Sequence, residues 1–506
     1  MSFRQQYNGC KTFGCANCAN PDETLYRHSD RLGYPAWHCN LCGAYPPLLL
    51  NPPIIALATQ TQKARQSPLF LPSCLCAQPQ WQRYGLTKSA SQRLQCRHCR
   101  KVVTQANAKQ IATRLQPWLD SLINGVSPHE LQRHLGLSNK TFNQHIAQLA
   151  ELLEHYSNNI ERQASKHATS HTLYTFSHTQ VCRSGMRMQN NEQCSAHLWT
   201  LTTLDMNTGY VYLISDNALT ETEEETEEEK QKATKDWQAI SEYQLTLKEI
   251  SESDESDVLI RAEKTYQKIL ARSQFDQLAY CEAKHAKLKL ENSQRNALIR
   301  PVYAAHAHMQ NLRPFLQDNH QLKLNWFLEH ESFIRGAAIT TYHASIRQGY
   351  LSLYYYHYSL SIEPQKPQQE TENEQRTLSW WNEKWHKLTL SDKRGLHQVG
   401  LGILTPSSHI TESKLRELLP QKLNWDTTFW QAFEQWLPPT YAQKLSLKRI
   451  HQWQAIYRYW HNYLSTPQPR LNVPNTCALN SIHQFVDTLN HAMLNPLEAQ
   501  KAKRDK

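Results

Sequence analysis

Apolar residues recur at helical spacing through one long stretch of the first third of the chain. They fall every three or four positions, which places them on one face of an amphipathic helix. Turn signals divide the stretch into three helices, because Ser127 and Pro128 suit the start of the second helix and Ser138 suits the start of the third. Two short helices joined by "GLS" predict a helix-turn-helix in which the third helix is the reader. The predicted apolar faces are Ile111, Leu115, Leu119 and Leu122 in the first helix and Phe142, Ile146, Leu149 and Leu153 in the third.

Alternation of apolar and polar residues predicts a β-sheet domain further along the chain. "LWTLTTLD" predicts a strand, "MNTG" a turn and "YVYLIS" the returning strand. "KLNWFLEHESFIRGAAITTYHASIRQGYLSLYYYHYSLS" then predicts a strand, a helix and a second strand. The acidic runs between these parts predict a helical insertion. The stripe of large residues around Trp453 predicts a helical C-terminal region.

Length and charge limit the class of protein. A chain of 506 residues is too long for one ordinary core, so several domains are expected. No apolar run reaches the roughly 20 residues that span a bilayer, and the first residues lack the apolar core of a signal peptide. We therefore expect a cytoplasmic protein with no membrane partner. The formal net charge of +10 agrees with a polyanionic partner but does not by itself require one.

Nine of the thirteen cysteines lie in the first hundred residues, mostly in close pairs. In a reducing compartment such pairs are more often metal ligands than disulfides. The first two pairs have the spacing of a zinc ribbon, whose core is so small that bound metal supplies its folding free energy. Two further residues near them, Cys10 and His38, are spare potential ligands, but we interpret both as surface or packing residues. The predicted ligands of the first site are Cys15, Cys18, Cys39 and Cys42.

A second and less regular zinc site is predicted from Cys74, Cys76, Cys96 and Cys99. Cys96 and Cys99 have the usual separation of a knuckle, whereas Cys74 and Cys76 are one residue closer than usual. A compressed knuckle can still chelate, so we expect zinc here too, and the alternative is four reduced structural cysteines. Basic residues around the second knuckle suit contacts to phosphates. The predicted contacts are Arg97, Arg100 and Lys101.

The start of the third helix carries polar side chains that suit duplex DNA. Amide side chains there can address base edges, while Lys140 and Arg133 suit phosphates. The alternative is a helical hairpin that only packs against the rest of the protein. The predicted contacts on this helix are Asn139, Lys140, Thr141, Asn143 and Gln144, and His145 is expected to be exposed beside them.

The stretch "RYGLTKSASQRLQCRHCRKVV", followed by a helix-turn-helix, resembles the N-terminal zinc-ribbon module of bacterial insertion-sequence transposases. The resemblance covers roughly Pro72 to Tyr156 and departs from the family at the short knuckle of Cys74 and Cys76. Such transposases bind their terminal repeats with this region. They then cut and join DNA with a ribonuclease H-like domain.

The resemblance also implies where catalytic carboxylates would lie. The family places its first metal-binding acid on the first strand, a second after the fourth strand and a third on a later helix. These positions imply Asp205, then Glu331 or alternatively Glu329, and then Glu383. At least two such carboxylates would have to converge on Mg²⁺ ions that flank the scissile phosphate.

These patterns predict a multidomain α+β protein with two zinc ribbons, a helix-turn-helix and a ribonuclease H-like α/β domain that contains a helical insertion. The leading hypothesis is a transposase-like, zinc-dependent protein that binds double-stranded DNA and can cut and join its strands with Mg²⁺, with a homo-oligomer as a further expectation. An active form would use Mg²⁺ while water, and then a 3′ hydroxyl, attacks phosphorus in line. The alternative is a catalytically inactive regulator or defence component derived from a transposase. An RNA-binding zinc protein is disfavoured because a helix-turn-helix suits the B-form major groove better than the deep A-form groove.

The predicted boundaries follow from these assignments. The first ribbon occupies residues 1–60, the second 61–105, the helix-turn-helix 106–160, the ribonuclease H-like domain 170–217 and 297–400, the acidic insertion 218–296, and the C-terminal helical region 401–506.

Overall fold

The computed structural model describes most of the chain outside the acidic insertion. The described residues are 6–29, 36–46, 48–49, 51–66, 74, 76, 80–88, 91–105, 108–164, 170–187, 193–220, 296–299, 301–316, 323–361, 384–392, 395–405, 411–420, 422–470, 478–479 and 481–488. Glu383 and nearly all of the predicted insertion lie outside them. Among the helices of the described residues, none combines the length and apolar composition needed to cross a bilayer.

The N-terminal region contains two small antiparallel sheets, and one group of cysteines lies in the segment around each sheet. A single 3-10 turn, Glu23–Leu25, leads into the first hairpin, where Tyr26 pairs with Cys39. A helix follows this hairpin and separates the two sheets. The elements are β1 (Tyr26–Ser29), β2 (Ala36–Cys39), α1 (Asn51–Gln66), β3 (Trp81–Leu86), β4 (Gln92–Cys96) and β5 (Val102–Thr104).

The three predicted helices of the helix-turn-helix are present. They are α2 (Ala108–Ile123), α3 (Pro128–His134) and α4 (Asn139–Ala164). Gly136 follows α3 with a φ of 62°, a left-handed conformation that glycine adopts without a steric cost. The Ser138 hydroxyl then accepts a hydrogen bond from the backbone N–H of Thr141 at 3.3 Å and so caps α4. The predicted apolar faces of α2 and α4 are buried.

A mixed sheet of seven strands follows. Its strands and the neighbouring elements are β6 (Ser170–Arg187), β7 (Gln193–Asp205), β8 (Val211–Asp216), β9 (Ala218–Thr220), β10 (Asn296–Leu298), α5 (Pro301–Leu316), β11 (Lys323–Glu329), α6 (Ser332–Arg347), β12 (Leu351–Ser361), β13 (Lys384–Asp392) and β14 (Gly395–Ile403). The spatial order is β13-β14-β12-β11-β6-β7-β8. Strands β6, β7 and β8 form an antiparallel meander, whereas β11 runs parallel to both β6 and β12. β9 and β10 pair separately.

The first strand of the seven-stranded sheet is one that the sequence pattern did not predict. β6 precedes the predicted strand, so Asp205 ends the second strand and its assignment to the first strand is wrong. The alternation of apolar and polar residues that marks a strand is missing from β6, because β6 buries polar side chains. Thr175 is fully buried, where its hydroxyl bonds Thr203 at 2.5 Å and accepts the Trp326 indole N–H at 2.9 Å. Such a satisfied polar interior breaks the alternation that marks a strand.

The C-terminal region is helical beyond β14, as predicted. Its helices are α7 (Glu412–Leu418), α8 (Trp425–Trp436), α9 (Pro439–Ala442), α10 (Leu447–Tyr463) and α11 (Ile482–Thr488). α10 packs along α4, and α11 packs against α2. The predicted stripe of α10 is buried, including Trp453, Ile456 and Tyr457. One hydrophobic core therefore runs from the helix-turn-helix through the sheet to the C-terminal helices.

A buried charge network joins α1, α4 and α10. The guanidinium of Arg458 on α10 donates to Glu154 at 2.9 Å and 3.1 Å and to Glu161 at 2.6 Å, and both carboxylates belong to α4. Arg65 on α1 also pairs with Glu161, which accepts the Tyr210 hydroxyl at 2.9 Å. Burial acts to lower the pKa of Arg458, but the two carboxylates outweigh it and raise that pKa above its ordinary value. The network therefore stays charged and fixes α4 against the sheet.

Replacing Arg458 by methionine should destabilise the fold by about 3–5 kcal/mol, because two buried carboxylates lose their main partner. The shift in the urea midpoint, followed by tryptophan fluorescence, measures this effect. Arg27→Met is the matched control, since Arg27 is exposed on β1 and should change stability by less than about 0.5 kcal/mol. Equal midpoints for the two variants would contradict the role assigned to the network.

Candidate metal centres and nucleic-acid interface

The first cysteine group has the dimensions of a four-thiolate zinc site. The Sγ atoms of Cys10, Cys15, Cys39 and Cys42 all lie within 4.8 Å of one another. Cys10 and Cys42 are 3.5 Å apart, and Cys15 and Cys39 are 3.8 Å apart. A tetrahedron with Zn–S bonds of about 2.3 Å has S···S edges of about 3.8 Å, whereas a disulfide would bring two sulfurs to about 2.05 Å. The residues present therefore fit zinc.

This group contains Cys10 where the sequence spacing predicts Cys18. Cys18 is only 3% exposed and packs in the main hydrophobic core, whereas Cys10 lies in the small cluster of the first ribbon with Tyr26 and Trp37. Cys10 and Cys15 have four residues between them, which is also a permitted ligand separation. That spacing was the signal available in the sequence, and the shorter Cys15–Cys18 pair obscured it. His38 lies outside the group and stacks on Tyr45.

The second group joins the four cysteines that the sequence predicts. The Sγ atoms of Cys74, Cys76, Cys96 and Cys99 also lie within 4.8 Å of one another, and Cys76 and Cys96 are 3.8 Å apart. The short separation of Cys74 and Cys76 therefore does not prevent a tetrahedral arrangement. Arg100 closes the opposite knuckle with a left-handed φ of 60°, and its backbone N–H donates to the Cys96 carbonyl at 3.0 Å.

Backbone donors prepare one thiol in each group for metal binding. Burial acts to raise the pKa of Cys39, but hydrogen bonds from the backbone N–H groups of Cys42 and Leu41 outweigh it and lower that pKa to about 7. Backbone N–H groups near Cys99 similarly outweigh desolvation at Cys96 and lower its pKa to about 6. Thiolates are the form that binds zinc, so both sites begin with one ligand ionised near neutral pH.

The second ribbon presents cationic side chains without neighbouring acids. Arg97, Arg100 and Lys101 are all exposed. Residues 31–119 contain eleven lysines and arginines and no aspartate or glutamate, so this segment alone carries more positive charge than the net +10 of the chain. A zinc ion with four thiolates has a charge of about −2, which the cations of the ribbon exceed. The surface has the electrostatic character of a phosphate-binding face.

The start of α4 keeps most of its predicted polar face in solvent. Asn139, Lys140 and Gln144 are exposed, as is Arg133 at the end of α3. Thr141 and Asn143 are half-buried, and the Asn143 carbonyl accepts a hydrogen bond from Arg449 of α10 at 2.6 Å. α4 therefore packs by its inner face and leaves its N-terminal tip open.

His145 does not belong to this exposed face. It is 6% exposed, and its Nδ1 accepts a hydrogen bond from the Trp118 indole N–H at 3.2 Å. Burial lowers the pKa of His145, so the neutral form that accepts this bond is favoured. The expectation that His145 is exposed is wrong, because its position in α4 faces α2.

The predicted catalytic acids do not converge. Asp205 belongs to the turn between β7 and β8, where its Oδ1 accepts backbone hydrogen bonds from Asn207 and Thr208 at 3.0 Å and 2.9 Å. Glu331 caps α6 and accepts a bond from the Phe333 backbone N–H at 3.4 Å. These contacts give both acids a local structural role. Glu383 lies outside the described residues.

The register of the sheet separates Asp205 from the end of β11. Asp205 pairs with Leu173 of β6, whereas Glu329 bonds Ser177, four residues further along the same strand. Four strand residues span about 13 Å, which is too far for one ion to bridge. The two cysteine groups are the clusters of three or more potential metal ligands that the described residues contain. Asp205 and Glu329 therefore do not fit one Mg²⁺ site.

Glu329, the alternative second acid, is hydrogen-bonded to a serine, whereas an Mg²⁺ site needs a second carboxylate beside it. Its Oε2 accepts both the backbone N–H and the hydroxyl of Ser177, at 2.7 Å and 2.6 Å. Burial raises the pKa of Glu329, the Ser177 bonds act against this, and the charge of Asp426 adds to the increase. The strand that supplies Ser177, β6, contains no acidic residue in its eighteen positions.

Comparisons of the chain with protein families, with curated proteins and with solved structures find no match. The features of the chain that bear on its function are the two cysteine groups, the basic surfaces and the carboxylates.

Zinc stoichiometry should distinguish Cys10 from Cys18. Cys10→Ala removes a ligand and should leave about one zinc ion per chain, whereas Cys18→Ala should retain about two. Mass spectrometry of the metal content of each purified protein makes the measurement, and circular dichroism checks that both variants are folded. Loss of an ion from Cys18→Ala with full retention in Cys10→Ala would contradict the ligand set of the first site.

Proposed function

We propose that the protein is a zinc-dependent binder of double-stranded DNA, built on a ribonuclease H-like scaffold that does not cut DNA. The observation that carries the binding proposal is the exposed tip of α4, which follows in the chain an acid-free, cationic segment that contains the second cysteine group. Such a segment attracts phosphates, and the tip of a reader helix fits the major groove.

In the proposed helix-turn-helix, some exposed side chains suit contacts to phosphates and others suit contacts to bases. Lys140 and Arg133 are exposed on neighbouring helices and suit the two phosphate walls that flank a groove. Gln144 lies one turn after Lys140 and has an amide that can bond adenine in two places. The burial of Glu154 and Glu161 holds the remainder of α4 in the protein, so only its first turns are offered to DNA.

The order of the sheet supports the ribonuclease H-like scaffold. The meander of β6, β7 and β8 is followed by β11 parallel to β6 and β12 parallel to β11, and we take this order as support for the proposed scaffold. α5 precedes β11 and α6 connects β11 to β12, which completes the same alternation of elements. The antiparallel pair β13 and β14 extends the sheet at the far edge.

The acids of that scaffold support the non-catalytic form of the hypothesis. In the transposases the first strand carries an Asp, whereas here β6 carries Ser177 at the position that faces Glu329. A serine hydroxyl donates to Glu329 where an acid on β6 would supply a second anionic ligand. Asp426 on α8 is another acid whose charge acts on Glu329, and burial raises the pKa of both carboxyl groups, which disfavours the ionised pair that Mg²⁺ needs. We therefore assign the scaffold a structural role and no strand cleavage.

DNA binding should depend on Lys140 and Gln144 in different ways. After selection of a preferred duplex from a random pool, Lys140→Ala should weaken binding to all duplexes and reduce the salt dependence of log K by about 0.9. Gln144→Ala should keep the salt dependence and lose about 1–3 kcal/mol of discrimination between sites. Fluorescence anisotropy at several salt concentrations measures both effects.

Lys414→Ala provides the control for that experiment, because Lys414 is exposed on α7, outside the proposed interface. It should leave affinity and salt dependence unchanged. If Lys140→Ala behaved like Lys414→Ala, the tip of α4 would not be the DNA-binding surface.

The wild-type protein should not nick supercoiled plasmid or its selected duplex when Mg²⁺ or Mn²⁺ is added. The reason is the missing acid opposite Glu329. Gel analysis of the plasmid makes the test, with Glu329→Gln and Asp205→Ala prepared in parallel. Metal-dependent nicking that either substitution abolishes would refute the non-catalytic proposal and restore the transposase hypothesis.

A further inference from the structure

The outer strand of the second ribbon carries an exposed aromatic side chain that the proposed binding of duplex DNA does not use. Tyr84 on β3 is 47% exposed, and Leu86 on the same strand is 62% exposed. Large apolar side chains so open to solvent on a small cationic module call for a ligand. Their position on an edge strand leaves them without cover from the rest of the ribbon.

A β-bulge sets the direction of this tyrosine. The pairing of β3 with β4 shifts between Arg83 and Leu86, so Tyr84 and Gly85 together oppose one residue, Arg93. Gly85 has a φ of +83° with no atom near the place of a Cβ, and its carbonyl accepts a hydrogen bond from the Gln92 side chain at 2.9 Å. Bulges of this kind turn a side chain out of the regular sheet and are built into a fold by its sequence.

Arg93, on the neighbouring strand β4, packs against Tyr84. Its guanidinium carbon lies over the Tyr84 ring, 5.4 Å from the ring centroid. The guanidinium therefore lies against one face of the ring, and we call the pair the Tyr84 platform and define it as Tyr84 and Arg93. Other residues of the same ribbon are exposed cations: Arg83, Lys88, Arg97, Arg100 and Lys101.

We infer that the Tyr84 platform binds unpaired bases of single-stranded DNA next to the duplex held by α4. Bases in a duplex are stacked on one another and offer no free face to a protein ring, whereas an unpaired base stacks on tyrosine and arginine regardless of its identity. The exposed cations of the ribbon suit the phosphates of the same strand, and the absence of any acid from residues 31–119 disfavours a basic protein partner. The inference rests on the proposed DNA-binding function. It adds that the second ribbon binds single-stranded DNA, whereas α4 binds the duplex.

Anisotropy with three probes tests this inference on the full-length, zinc-loaded protein. The probes are the selected duplex, the same duplex with an unpaired oligo-dT extension, and oligo-dT alone. Tyr84→Ala should weaken binding of the extended duplex and of oligo-dT by about 5- to 150-fold and leave the plain duplex unchanged. Tyr84→Phe should restore binding, because stacking needs the ring and not the hydroxyl. Retention of two zinc ions by Tyr84→Ala shows that the ribbon remains folded.

The outcomes separate this inference from the proposed function. Loss of duplex binding in Lys140→Ala with no effect of Tyr84→Ala on any probe would overturn the platform alone. An effect of Tyr84→Ala with none of Lys140→Ala would overturn the role of α4 alone. Oligo-U that binds more tightly than oligo-dT would overturn the assignment to DNA. Ultraviolet cross-linking of an oligo-dT that contains 5-iodouracil should label the peptide that contains Tyr84, and labelling confined to other peptides would also refute the platform.

Discussion

The ion pairs between Arg458 of α10 and two carboxylates of α4 join the helical segment at residues 108–164 to the C-terminal helices. Glu154 and Glu161 lie on the inner side of α4, Arg458 on α10, and Arg65 on α1. Removing one member of a buried ion pair leaves an uncompensated charge, so Glu161 and Arg458 depend on each other. Because Arg458 also donates to the carbonyls of Val211 and Tyr212 on β8, this pair fixes α4 relative to the sheet.

The sequence predicts those features that repeat a local physical rule. The apolar face from Ile111 to Leu122, the cap at Ser138 and the cysteines of the second group depend on spacing within short segments, and the structure contains each of them. The first cysteine group contains Cys10 and not Cys18, because Cys18 packs in the main hydrophobic core. Spacing along the chain does not contain that information, because a buried cysteine packs as well as a small apolar residue does.

The catalytic acids were less predictable for a related reason. A strand is recognised by alternation, and β6 lacks it because Thr175 and Gln180 are buried with polar neighbours. Once that strand is overlooked, every later strand receives the wrong ordinal number, and Asp205 takes the place of the first-strand position. The pairing of Ser177 with Glu329 joins residues more than 150 positions apart, and only the parallel register of β6 and β11 brings them together.

The two ribbons differ in how they are attached to the rest of the protein. Cys18 and Tyr7, in the first ribbon, are part of the main core, whereas the apolar cluster of the second ribbon consists of its own residues, including Trp81 and Leu94. A module whose interior is self-contained can be exchanged between proteins without repacking its host. The second ribbon can therefore change its interior without repacking the rest of the protein, whereas the first ribbon must change in step with the core it helps to build.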